Sequence, residues 1–198
     1  MLLLFIVFFL PGFLWPQLPE RLGLYMTQSI LIAAPQVLLL LYLLWLRRRR
    51  SPEQAAGEVF REYGVDAPRA IDLVHALAIF AGIVALLALA SWALSRVPAL
   101  SREILSRGFR YRLSRPALLP LAALFALATA YREELFFRCY LITRLQQLSL
   151  PAWAAAGAST ALFAVGHVYQ GPAGLIVAAL LGTCFALLFL RLRNLHRL

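Results

Sequence analysis

Lysine is absent from this chain, acidic residues number only nine, and charged residues of every kind make up 14% of it. So little charge excludes the well-solvated surface of a soluble domain, since 62% of the 198 residues are hydrophobic against the roughly half that globular proteins carry. Cysteine is nearly missing too. Cys139 and Cys184 both sit in apolar runs, which excludes a disulfide framework. No internal repeat is visible, and this argues against a transporter built from two related halves. The first apolar run has no positive stretch before it and no small-residue cleavage pattern after it, so it does not read as a signal peptide. Pro11, Pro16 and Pro19 instead end a short helix.

Long apolar runs are what the chain does contain: Leu2 to Leu14, Ile30 to Leu46, Leu73 to Leu94, Ala117 to Leu148, Trp153 to Val168 and Ala173 to Leu190. A helix crossing a bilayer takes roughly 20 apolar residues, and lipid leaves no partner for an unpaired backbone group, so non-alternating runs of this kind must be helical. The expected fold is all-α, a polytopic transmembrane helix bundle of about six segments. It reads as one membrane domain over 1–198, with N-terminal helices and surface loops in 1–115 and the chemically loaded helices in 116–198.

All 19 basic residues are arginine, and the net charge is +10. They gather at run ends, in Arg47 to Arg50, Arg102 to Arg115 and Arg191 to Arg197, where they suit anionic lipid head groups rather than nucleic acid. If every run crosses once, the first and third clusters share a side and the second falls on the other. That conflicts with the positive-inside rule unless one run is broken or re-entrant. The over-long run Ala117 to Leu148 is the expected place, at Tyr131 to Glu134. Between Arg47 and Arg69, Ala55, Ala56, Val59, Phe60 and Tyr63 recur at helical spacing, which predicts an amphipathic helix lying on the membrane surface. Asp72 and His75 stand near the start of the third run, where Asp72 suits a helix cap better than a proton relay.

Two adjacent carboxylates, Glu133 and Glu134, interrupt the apolar run in Tyr131-Arg132-Glu133-Glu134-Leu135-Phe136-Phe137-Arg138. Ionisable groups at membrane depth are costly and mark function by default; the bland reading is a charge cluster at a helix end. At about 100° per residue, Arg138 lies about 40° around the wheel from Glu134 and about 140° from Glu133. Glu134 and Arg138 therefore form an i, i+4 pair, while Glu133 faces elsewhere and, partly desolvated, suits general-base work.

His167 closes the run that begins at Trp153, and by itself reads as an interfacial or capping group. Its spacing says more. Ser149, Leu150 and Pro151 read as a bend with the proline at the first position of the next helix, and Glu133 and His167 each stand 17 residues from Leu150. At about 1.5 Å per residue both lie roughly 25 Å from the bend, so antiparallel packing brings them to one depth. A carboxylate and an imidazole facing each other there can activate water and stabilise charge on a carbonyl. Phe163, one turn before His167, packs on the ring or walls the pocket.

Glu133-Glu134 with Arg138 resembles the EExxxR motif of the CAAX-protease and bacteriocin-processing family, and Phe163 with His167 resembles its FxxxH motif. Tyr169-Gln170-Gly171 is similar to the usual continuation, and the likeness covers about Pro116 to the C-terminus. The resemblance implies an intramembrane protease of the bacterial plasma membrane, multi-pass, acting on a membrane-associated or lipidated peptide or protein. Glu133 would be the base for the attacking water, His167 its assistant or the oxyanion donor, Glu134 and Arg138 supports, and Phe163 a packing residue. A divalent metal such as zinc would have to be held by Glu133 and His167 with further ligands, and no HExxH spacing is present. The family's later histidine motif has no counterpart at His196, which leads to the expectation that the chain is C-terminally shortened and weakly active alone.

Other readings fit less well. Gly157-Ala158-Ser159-Thr160 imitates a serine-protease segment, but Ser159 and His167 share one helix about 12 Å apart along it. Ser159 is expected to be a small packing residue. A Cys139 nucleophile leaves the paired glutamates unexplained. The alternative from another class is a non-enzymatic membrane protein, such as an immunity factor, transporter subunit or scaffold, whose charges hold helices together.

Overall fold

The computed structural model describes Leu4, Ile6, Phe8 and residues 22–50, 57–98 and 115–198. The regular elements among them are all helical. They are α1 (Leu22–Arg50), α2 (Glu58–Glu62), α3 (Ala70–Ser95), α4 (Leu119–Glu134), a π-helix (Leu135–Ile142), α5 (Thr143–Gln147), α6 (Ala152–Gly166) and α7 (Gly171–Leu192). Short 3₁₀ turns occupy Pro116–Leu118, Val168–Gln170 and Leu195–Arg197. Among the described residues three helical stretches, Leu22–Arg50, Ala70–Ala93 and Val168–Leu192, are long and apolar enough to cross a membrane, and α6 is a shorter apolar helix. The helical membrane bundle expected from the sequence is thus what the chain forms. Of the run at Leu2 to Leu14 only Leu4, Ile6 and Phe8 are described; Pro11, Pro16, Pro19, Ala55, Ala56 and the stretch from Arg102 to Ser114 lie outside the described residues.

The core is built around the π-helix. Leu135, Phe136, Phe137, Cys139 and Ile142 are all 2% exposed or less. The rings of Phe8 and Phe136 stack at 4.6 Å, so Phe8 packs on this element as well. α3 contrasts with it. The apolar window of this helix buries nothing, and Leu73, Leu77, Phe80 and Trp92 all point outward. Such a surface is unfavourable in water and natural in hydrocarbon.

Three expectations need correction. The amphipathic helix is shorter than expected among the described residues: α1 continues through all four residues of Arg47–Arg50, and between it and Ala70 the described helix is Glu58–Glu62. Val59 and Tyr63, at i and i+4, are buried against Leu44 of α1, because packing on a helix takes both side chains out of solvent at once. Arg61 and Glu62 do form the exposed face. The break expected at Tyr131 to Glu134 is a change of helix type just after it, with no loop between Leu119 and Gln147. Finally, Pro151 is the N-cap of α6 rather than its first residue, extended at ψ 152°, and Ser149 makes the bend with a φ of 67°.

The arginine clusters at Arg47 to Arg50 and Arg191 to Arg197 do come together. Arg47 donates to Gln147 Oε1 at 2.8 Å, and Arg193 donates to the neighbouring Gln146 in the same α5 end. The last turn then folds back. Leu195 N donates to the carbonyl of Gly64 at 2.8 Å, and Arg197 Nε reaches Asp72 Oδ1 at 2.7 Å. Asp72 also accepts from the Arg69 backbone N–H at 2.9 Å, the reach-back of a third helical residue to its N-cap, as the capping reading requires.

Candidate active site

The π-helix and α6 run side by side, and two contacts fix their register. Ser159 Oγ, on α6 and fully buried, donates to the Phe137 carbonyl at 2.8 Å. Arg138 lies with its guanidinium carbon 4.5 Å from the centre of the Phe163 ring. In a π-helix the i→i+5 pattern replaces i→i+4, widening the turn and re-aiming side chains, and such turns concentrate at functional sites. The hydroxyl from α6 anchors this widened segment through its backbone.

Arg138 is 1% exposed. Its Nε stands 3.2 Å from Glu134 Oε2, the expected i, i+4 pair, at ion-pair distance but without hydrogen-bond alignment. The rings of Phe163, Phe137 and Phe185 surround the guanidinium at 4.5, 5.7 and 5.7 Å. A buried cation is thus held by one carboxylate and three aromatic faces. The Phe163 ring continues the path, because its centre is 4.4 Å from that of His167.

His167 is the C-cap of α6. Its Nδ1 is 2.7 Å from the Phe163 carbonyl, and since a carbonyl can only accept, Nδ1 carries the hydrogen. Neutral His167 therefore has its lone pair on Nε2. Glu133, with 20% of its side chain exposed, pairs through Oε1 with Arg132 at 2.8 Å. The wheel separates Glu133 from Arg138 correctly, but it gave no hint of Arg132, since adjacent helix residues do not ordinarily face each other. No hydrogen bond or ion pair joins Glu133 to His167 among the described residues.

Glu134, Arg138, Phe163 and His167 form one packed series, then, and Glu133 stands beside it. Residues 115–196 match the family model described as Type II CAAX prenyl endopeptidase Rce1-like. This is the family the motifs resemble. The Rce1-like segment covers less than half of the chain and contains all five candidate residues. No curated protein and no solved structure matches the chain.

Within the Rce1-like segment, Cys139 is fully buried in the core, a poor setting for a nucleophile. His196 is engaged through both ring nitrogens: Tyr131 Oη is 2.8 Å from Nδ1, and Nε2 is 2.7 Å from the Asp66 carbonyl. Because the carbonyl accepts, Nε2 donates and Tyr131 donates to Nδ1, a structural tie between α4 and the last turn. A catalytic zinc takes three protein ligands, and among the described residues no three His, Cys, Asp or Glu side chains converge as a metal site. Glu133 and His167 do not make up such a set.

Proposed function

We propose that this integral membrane protein is an intramembrane endopeptidase that hydrolyses a peptide bond of a membrane-associated or lipidated peptide or protein by glutamate-activated water. The observation that carries this reading is the Arg138 guanidinium, 3.2 Å from Glu134 and 4.5 Å from the ring of Phe163, which in turn lies against His167. Two motifs far apart in sequence are thereby one physical unit, and the match to the Rce1-like family over the same residues supports the same chemistry. The protein is multi-pass, in a bacterial plasma membrane, and its partners are lipid and peptide rather than nucleic acid.

Glu133 takes a proton from water at its free Oε2 while Arg132 holds Oε1. The water oxygen bonds to the scissile carbonyl carbon, giving a tetrahedral oxyanion. Collapse breaks the C–N bond, and the proton on Glu133 passes to the leaving amine. With Nδ1–H committed to the Phe163 carbonyl, neutral His167 offers an acceptor at Nε2 and orients the water; as an oxyanion donor it must first be protonated there. The test is cleavage of a prenylated reporter peptide in proteoliposomes by wild type and by Glu133→Gln. Glu133→Gln is expected to abolish turnover in a folded protein, because the amide keeps the shape but cannot take the proton. Equal turnover in both removes Glu133 as the base, and no turnover in wild type favours the non-enzymatic reading.

A further inference from the structure

At the α5 end of the bundle a pocket of about 470 Å³, with none of the candidate catalytic residues in its lining, is bounded by Arg61, Glu62, Thr143, Gln146, Gln147 and Arg193. Its chemistry is unbalanced. Gln147 Oε1 alone accepts from Arg47 Nη1 at 2.8 Å, Arg144 Nη1 at 2.7 Å and Tyr63 Oη at 3.2 Å. Arg193 Nη2 donates to the Gln146 amide oxygen. Arg47, Arg144 and Arg193 thus meet neutral amide oxygens, and none of them has an acidic partner within 4 Å among the described residues. Glu62 is the one acid lining the pocket, and it takes the Gln147 Nε2 hydrogen; Arg61 is loosely paired with Asp66 at 3.8 Å.

Thr143 supplies an independent sign. It is 3% exposed, lines the pocket, and its hydroxyl has no hydrogen-bond partner among the described residues. A buried hydroxyl left without a partner is unfavourable, and a helical threonine ordinarily avoids this by bonding back to its own helix. An uncommitted hydroxyl beside convergent guanidinium groups matches an acceptor-rich anion that takes hydrogen bonds from both.

We infer that this pocket binds the phosphate of an anionic phospholipid head group, with Arg193 and Thr143, which line it, as donors and with Arg47 and Arg144, gathered on Gln147, adding positive charge behind it. The location suits it, because Arg47 lies in the last turn of a membrane-long helix here and Arg193 follows another, and the ends of such helices are where lipid phosphates are expected.

Purified protein in uncharged detergent is titrated with dihexanoyl phosphatidylglycerol, dihexanoyl phosphatidylcholine and inorganic phosphate, with binding read by native mass spectrometry. Saturable binding of the glycerol lipid in preference to the choline lipid is expected. Arg193→Gln and Thr143→Val should each weaken it about tenfold, the loss of one charge-assisted hydrogen bond. Thr143→Ser should retain it, and Arg48→Gln, an exposed charge outside the pocket, should leave it unchanged. Inorganic phosphate that fails to bind assigns the site to lipid; phosphate that binds with the same variant sensitivity assigns it to free phosphate and overturns the lipid source. Equal binding of both lipids, insensitivity to Arg193→Gln and Thr143→Val, or an equal loss in Arg48→Gln overturns the site.

Discussion

Arg138 and Phe163 sit on neighbouring helices with the guanidinium carbon 4.5 Å from the ring centre, and that contact joins Glu134 to the histidine. It follows that Arg138→Leu should destabilise the protein more than Glu134→Gln. Leucine removes the cation from one carboxylate and three rings at once, which should cost about 3 kcal/mol or more. Glutamine keeps the ring contacts and an amide oxygen, for about 1–2 kcal/mol. Thermal unfolding in detergent measures both; identical melting temperatures for the two variants and wild type would show the pair to be unimportant.

Ser159→Ala removes the buried donor to the Phe137 carbonyl. A loss of about 1–2 kcal/mol is expected, with hydrogen exchange rising in the π-helix more than in α7. Uniform exchange in the variant would mean that the hydroxyl is only a space filler.

Gly64 has a φ of +70°, and a Cβ there would come within 2.8 Å of the Phe189 ring and 3.0 Å of the Arg193 backbone. Gly64→Ala should therefore cost about 1–3 kcal/mol and loosen the last turn, which hangs on the Gly64 carbonyl. Faster proteolysis after Arg193 is the readout. An unchanged cleavage rate would show that the turn docks without this contact.

His167 should show the Nδ1–H tautomer when neutral, since its Nδ1 faces the Phe163 carbonyl at 2.7 Å. Nitrogen NMR of histidine-labelled protein distinguishes the two ring nitrogens. A protonated Nε2 in the neutral form would contradict this geometry and the role given to His167.

Much of the site was legible because it rests on local geometry. The i, i+4 spacing of Glu134 and Arg138 and of Phe163 and His167 puts each pair on one helix face whatever surrounds it. The Asp72 cap was equally local. Arg132 as the partner of Glu133 was missed, because a helix wheel turns adjacent residues about 100° apart. What covers the short helix after α1 was not legible for a related reason: the spacing of Val59 and Tyr63 reveals an apolar face but not whether lipid or Leu44 covers it.

The sequence by itself determined that the chain is helical and lipid-embedded, since runs this apolar have no other way to pair their backbone groups. It also determined which side chains share a turn. Only the tertiary structure decided that Leu135–Ile142 is a π-helix, that Ser159 donates to Phe137, and that Arg138 rests on Phe163. Those features depend on the distance and register between two helices, which are set by the whole packed interface and by no residue pattern within either one.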